Sequence, residues 1–80
     1  MSELVTYSPP VKRSVLIAGH PTSISLEPIF WKALEIAARD SAQPVNALVA
    51  RIDEARMTVA DPPNLTSAIR QWLFGRALGG

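Results

Sequence analysis

The chain has 80 residues, 48% of them apolar, so it can form one domain with a hydrophobic core. It contains no cysteine, which excludes disulfides and thiolate metal sites. The net charge is +1, and no apolar run is long enough for a membrane span or a signal sequence, so we expect a soluble, cytoplasmic protein without a membrane partner. A domain of this size is marginally stable alone, and we therefore expect a second copy of the chain to complete the core.

The N-terminal region is predicted to hold a flexible arm and one short strand. Residues 1–12 contain a Pro-Pro pair and no sustained periodicity, as expected for the arm. In residues 22–26, TSISL, polar and apolar residues alternate as in a half-buried strand. The preceding residues 13–18, RSVLIA, could form a hairpin with that strand, but an isolated two-stranded hairpin is barely stable in water. We therefore predict that the strand pairs with its copy in a second chain, antiparallel around a two-fold axis.

Three amphipathic helices are predicted after the strand. Pro28 and Pro44 suit the first turns of the first two helices, because the missing N–H of proline would have no partner there. Pro62 and Pro63 lie in the linker before the third helix, and Asn64 is the candidate N-cap of that helix. The helices are predicted over residues 28–41, 44–56 and 65–78. The chain then divides into a flexible arm, a strand-helix-helix core, a linker and a C-terminal helix, over residues 1–12, 13–56, 57–64 and 65–80.

The segment TSISLEPIFWKALEIAARDSAQPVNALVARI resembles the ribbon-helix-helix fold of the Arc and methionine repressors. The pieces GH-TSISLE-FW and NLTSAIR also resemble a group of small bacterial ribbon-helix-helix domain proteins that carry an additional C-terminal helix. The resemblance implies a mainly α-helical, intertwined homodimer with one short strand per chain, a two-stranded antiparallel intermolecular ribbon and a third helix. The side chains predicted to fill the dimer core are Ile24, Leu26, Phe30, Leu34, Val45, Leu48, Val49 and Ile52.

The same resemblance implies that the homodimer binds double-stranded DNA and regulates transcription, with its ribbon in the major groove. The outward ribbon residues Pro21, Ser23 and Ser25 would then touch base edges. Backbone N–H groups of Val45 and Asn46, at the start of the second helix, would hold a phosphate, as helix N-termini commonly do.

Two basic residues, Lys12 and Arg13, precede the strand in a stretch without acids between Glu3 and Glu27. On a flexible arm they would contact the minor groove or the DNA phosphates, which contribute much of the affinity of DNA-binding proteins. Two simpler interpretations stay open: the arm is a solubilising tail, and the strand serines are ordinary solvent-facing residues.

Two features depart from the family pattern and support an alternative function. The turn between the first two helices often reads Gly-x-Ser in this fold, and here it reads Ala42-Gln43-Pro44. Serine on the ribbon reads base sequence poorly, because a hydroxyl can donate to or accept from several bases. The alternative is a dimeric protein-interaction module, adaptor or antitoxin-like, that binds a protein partner through the C-terminal helix, where Trp72 lies, and has weak or no DNA binding.

No sequence motif indicates an enzyme. P-loop, nucleophile-elbow and HExxH patterns are absent. His20 is the single histidine, with no cysteine or spaced carboxylates to complete a metal site, so we expect a turn residue there and neither a metal nor a cofactor. Phe30 is expected in the core, and Trp31 is expected to be partly exposed.

Overall fold

The computed structural model describes residues 5–79. Over that range a two-stranded antiparallel ribbon is followed by three helices, which is consistent with a ribbon-helix-helix fold that carries a third, C-terminal helix. The predicted arm shares Val11 and Lys12 with the first strand, and its first four residues, like Gly80, lie outside the described residues. The strands are β1 (Val11–Ile17) and β2 (His20–Leu26), and the helices are α1 (Pro28–Asp40), α2 (Val45–Arg56) and α3 (Leu65–Ala77).

The two strands form a hairpin within one chain, and their register ends at Ile17 opposite His20. Ala18 and Gly19 form the connecting turn, with φ of 51° and 81°. Positive φ at both positions is typical of a type I′ turn, whose twist matches that of the flanking strands. The prediction of a single strand that pairs only with a second copy is therefore corrected, because the ribbon is built from two strands of the same chain.

Helices cover one face of this hairpin, which explains why it does not need a partner strand. α2 packs against β1, while α1 and α3 pack against β2. Val15, Ile24 and Leu26 are buried between the ribbon and the helices. The instability of an isolated hairpin therefore does not apply here, since a three-helix layer buries its apolar face.

The core is completed within one chain. Six of the eight side chains predicted for the dimer core are buried in it, and Phe30 and Val45 are half-buried against it. The expectation that burial requires a second copy is corrected for these residues, because β1 and α3 cover the surface that the prediction left open. The buried side chains are Val15, Ile24, Leu26, Trp31, Leu34, Ala37, Ala38, Leu48, Val49, Ile52, Ala68, Ile69 and Leu73.

Trp31 anchors β1 to α1. Its side chain is 2% exposed, and its indole Nε1–H donates a hydrogen bond of 2.8 Å to the carbonyl oxygen of Val11. The expected order of burial is therefore reversed, since Trp31 is buried and Phe30 is half-buried. The physical reason is β1, which supplies both a covering surface and an acceptor for the indole N–H.

The turn between α1 and α2 keeps a common helix-ending geometry without its usual glycine. The N–H of Gln43 donates to the carbonyl of Ala38 and the N–H of Ala42 donates to that of Arg39, both at 3.0 Å. These two bonds define a Schellman motif, in which Ala42 takes the left-handed position with a φ of 53°. Pro44 lies just outside α2 as its N-cap, without a side-chain capping bond.

α3 packs on its own chain, against α1, α2 and β2. Its predicted N-cap is confirmed, because Oδ1 of Asn64 accepts a hydrogen bond of 2.8 Å from the N–H of Ser67. Arg70 donates to Glu27 at 2.9 Å and thereby connects α3 to the end of β2. The Arg70 guanidinium also lowers the pKa of the Glu27 carboxyl below its ordinary value of 4.5.

Candidate nucleic-acid interface

The face of the hairpin that points away from the helices carries six exposed side chains. Side chains alternate between the two faces of a strand, so the residues that follow and precede each buried position point outward. Across the two strands they form three opposed pairs, and we call this set the ribbon face: Lys12 with Ser25, Ser14 with Ser23, and Leu16 with Pro21. It contains one cation, three hydroxyls, two apolar side chains and no acid.

The three predicted base-reading residues, Pro21, Ser23 and Ser25, all lie on this face. Pro21 fits there without weakening the ladder. Ile17 and His20 flank the two-residue turn as a hydrogen-bonded pair, so the next pair along the ribbon is a non-hydrogen-bonded one. The missing N–H of Pro21 would therefore point to the open edge of β2, where proline is tolerated.

The two predicted phosphate-binding cations lie on opposite faces of β1. Lys12 is on the ribbon face, whereas Arg13 points to the side of the helices. The Arg13 guanidinium lies 4.7 Å from the Trp31 ring centroid and donates to Oε2 of Glu35 at 2.9 Å. Both members of this ion pair are about half exposed, so it contributes at most about 1 kcal/mol to stability. Arg13 is thus engaged in holding β1 against α1 in this structure.

Val45 and Asn46 are the first two residues of α2. The carbonyl of Pro44 accepts from the N–H groups of Ala47 and Leu48, so the intrahelical bonds start after them. None of the hydrogen bonds described for residues 5–79 uses the N–H of Val45 or Asn46. This is the ordinary condition of a helix start, and it leaves the two donors in a geometry that suits an anion.

Ser14 and Leu16 also lie on the ribbon face, and the sequence analysis did not find them. β1 was predicted only as part of an arm and of an uncertain extension, so its alternation was not assigned to faces. The signal was present in residues 14–26, SVLIAGHPTSISL, because two β-rich runs separated by the two residues Ala18-Gly19 fit a short hairpin turn.

His20 begins β2, opposite Ile17 and next to the turn. Among residues 5–79, no group of three His, Asp or Glu side chains is placed to hold a metal ion. In the same range no helix has the length and apolar character needed to cross a membrane.

Comparison with known proteins supports the resemblance read from the sequence. A family model described as a ribbon-helix-helix domain matches residues 10–77. The match spans both strands and all three helices of the described part of the chain. Neither a curated protein nor a solved structure matches the chain. Because the family match covers most of the 80 residues, the chain belongs to the ribbon-helix-helix domain family.

Proposed function

We propose that this protein binds double-stranded DNA through its ribbon face and regulates transcription. Ribbon-helix-helix domains are generally DNA-binding transcription regulators, and the fold is a non-enzymatic one. The observation that carries the proposal is the composition of the ribbon face, where Lys12 and three serine hydroxyls are exposed together without an acid. We accordingly propose no catalytic activity, and we keep the cytoplasmic location as a prediction.

The dimensions of the ribbon support insertion in the major groove. Two paired strands lie about 4.7–4.9 Å apart. The major groove of B-DNA is about 12 Å wide and admits a two-stranded β-ribbon. The hydroxyls of Ser14, Ser23 and Ser25 would then meet base edges, while Lys12 and the N–H groups of Val45 and Asn46 would meet phosphates. Arg13 would contact a phosphate only after its contacts with Glu35 and Trp31 are broken.

Homodimerisation is part of the proposal. Ribbon-helix-helix domains typically form homodimers that bind DNA. In this chain each copy carries a complete hairpin, so a dimer would present two ribbon faces, one to each half of its DNA site. Sedimentation of the full chain across a range of concentrations tests this, and a particle of one chain at every concentration would refute it.

Titration of duplex DNA at several salt concentrations tests the central proposal. We expect binding that tightens on a preferred sequence and weakens with salt, because neutralised phosphates release counterions. Lys12→Ala should weaken binding to all sequences and reduce the salt slope by about one per contact. Lys32→Ala is the matched control, since Lys32 is an exposed lysine on α1 away from the ribbon face, and it should leave the slope unchanged. Absence of binding at low salt would overturn the proposal.

A protein-interaction module is the second candidate function, and an apolar groove on α3 favours it. Phe74 and Leu78 are 62% and 73% exposed, and together with Phe30 and Gly75 they line the groove. Trp72, the residue predicted for this role, is half-buried against the core, so Phe74 is the better probe. Two results together would favour this function: the wild type binds no DNA, and a protein copurifies with it in a one-to-one ratio but does not copurify with Phe74→Ser.

A further inference from the structure

We infer that Leu16 and Pro21 contact the C5 methyl group of a pyrimidine in the major groove, so that the protein prefers DNA carrying such a methyl at one end of its contact. The inference rests on the proposed DNA-binding function and adds a specificity element to it. Thymine supplies this methyl in ordinary DNA, and 5-methylcytosine supplies it in modified DNA.

The ribbon face changes in character along its length. At the open end of the hairpin lies the cationic pair of Lys12 and Ser25, followed by the hydroxyl pair of Ser14 and Ser23. The pair next to the turn, Leu16 with Pro21, is apolar. Side chains of a directly opposed non-hydrogen-bonded pair have Cβ atoms about 4.5–5.5 Å apart, so these two form one continuous apolar surface.

Leu16 is a large apolar residue that does not contribute to the core. Leu16 is 50% exposed, whereas its neighbour Val15 is 4% exposed and lies in the core. Pro21, opposite Leu16, is exposed as well. Burial of apolar area is favourable, so half of a leucine side chain left in water at the end of a groove-binding surface would gain from an apolar contact.

The major groove offers one apolar group among its base edges. Adenine, guanine and cytosine present donors and acceptors there, and thymine adds a C5 methyl group. The serine hydroxyls discriminate weakly between bases, because they both donate and accept. The apolar pair therefore supplies the discrimination between bases that the serine hydroxyls lack.

The register of the hairpin limits where the methyl should be. Neighbours on one face of a strand lie two residues apart, about 6.7 Å, which is close to two base-pair steps of about 3.4 Å. Leu16 follows Lys12 by four residues, so the apolar pair lies about four base-pair steps from the cationic pair when the ribbon follows the groove. The methyl requirement should accordingly fall on one or two adjacent base pairs in each half of the DNA site.

Replacement of single methyl groups in the DNA tests the inference. A preferred duplex is first selected from a random-sequence pool with the full 80-residue protein. Each thymine of that duplex is then changed singly to deoxyuridine, which removes only the methyl group. In a separate series, each T·A pair is replaced by a C·G pair in which the cytosine either lacks or carries the C5 methyl group. We expect deoxyuridine at one or two adjacent positions in each half-site to weaken binding about fourfold, the equivalent of burying one methyl-sized group. At those positions 5-methylcytosine should bind more tightly than cytosine, which identifies the methyl as the recognised group.

Variants connect the methyl effect to the apolar pair. Leu16→Ala should bind thymine and uracil duplexes equally, and circular dichroism checks that it remains folded. If Leu16→Ala does not fold, Pro21→Ala takes its place and should reduce the difference in affinity between thymine and uracil duplexes. Ile29→Ala is the matched control, because Ile29 is 47% exposed on α1, and it should keep the full difference.

Three results would overturn the inference. Salt-dependent binding that is equal for thymine and uracil duplexes would refute it and leave the proposed function standing. A methyl effect that persists in both Leu16→Ala and Pro21→Ala would assign that effect to DNA shape. Absence of binding to any duplex at low salt would refute both the inference and the proposed function.

Discussion

The two faces of the hairpin use alternate residues of the same strands and differ in what they do. The inner face packs Val15, Ile24 and Leu26 into the core, where each is 4% exposed or less. The ribbon face, on the other side, leaves all of its six side chains exposed. Because the strand period is two, a change on one face leaves the other in place. Stability and recognition are therefore separated at neighbouring positions of the same strand.

A pair of substitutions at adjacent residues should separate the faces most strongly. Leu26→Ala removes a fully buried side chain and should lower the free energy of unfolding by about 2–5 kcal/mol, which is enough to unfold many domains of this size. Ser25→Ala, one residue earlier on the ribbon face, should change it by less than about 0.5 kcal/mol. Urea unfolding followed by circular dichroism measures both values. Equal destabilisation would show that the faces are not independent.

The attachment of β1 to α1 can be weakened without opening a large cavity. Trp31→Phe removes the donor to the Val11 carbonyl and should destabilise the fold by about 1–3 kcal/mol. Amide hydrogen exchange should increase first in β1, because that strand loses its anchor. Trp72→Phe is the control, since among the described residues its indole N–H makes no hydrogen bond. A uniform increase of exchange across the chain would contradict this local role.

The β1–β2 turn and the α1–α2 turn each hold an alanine at positive φ, and relief of that strain should stabilise the chain. Ala18→Asn and Ala42→Gly each place a residue suited to the left-handed region and should raise the free energy of unfolding by about 0.5–1 kcal/mol. Ala55→Gly, at an exposed position in the last turn of α2, should lower it by up to about 1 kcal/mol. Thermal unfolding gives the sign of each change. A loss of stability in Ala42→Gly would show that this turn is not strained.

The smallest expected effect concerns the ion pair between α3 and the end of β2. The pKa of Glu27 is lowered in the folded chain, mainly by the hydrogen bond from Arg70. Its ionised form is therefore favoured by folding, so this contribution is present above pH 4.5 and is lost as the pH falls below that value. Glu27→Gln should show a slightly flatter dependence of unfolding free energy on pH than the wild type as the pH falls below 4.5. Identical curves would show that this partly buried pair contributes nothing.

Much of the fold could be predicted from local patterns. The three helices are confirmed, with bounds that differ by one residue at most from the expected ones. The N-cap at Asn64 and the alternation of Ile24 and Leu26 with serines were also readable, because each depends on residues close in sequence. The strand β1 could not be predicted in the same way, because a hairpin is stable here only through the helices that pack on it, and local patterns do not show that packing.

The candidate site could be predicted only in part. The outward direction of Ser23 and Ser25 followed from one alternating segment, whereas Pro21 was placed with them only through the family resemblance. The β1 side did not follow from that segment, because Ser14 and Leu16 join the face only through cross-strand register. The separation of Lys12 from Arg13 was also missed, since a residue on a flexible arm has no assigned face.

The sequence by itself determined the order of the elements, the helix ends and the apolar faces, because proline positions, capping side chains and periodicity act over a few residues. Only the tertiary structure decided which strand pairs with which, and that Trp31 rather than Phe30 enters the core. It also decided that Arg13 points to Glu35 while Lys12 stays on the ribbon face. The strand pairing depends on the helices that cover the hairpin, and the positions of Trp31 and Arg13 depend on partners 20 and 22 residues away in the sequence, Val11 and Glu35. No local pattern encodes those two long-range contacts.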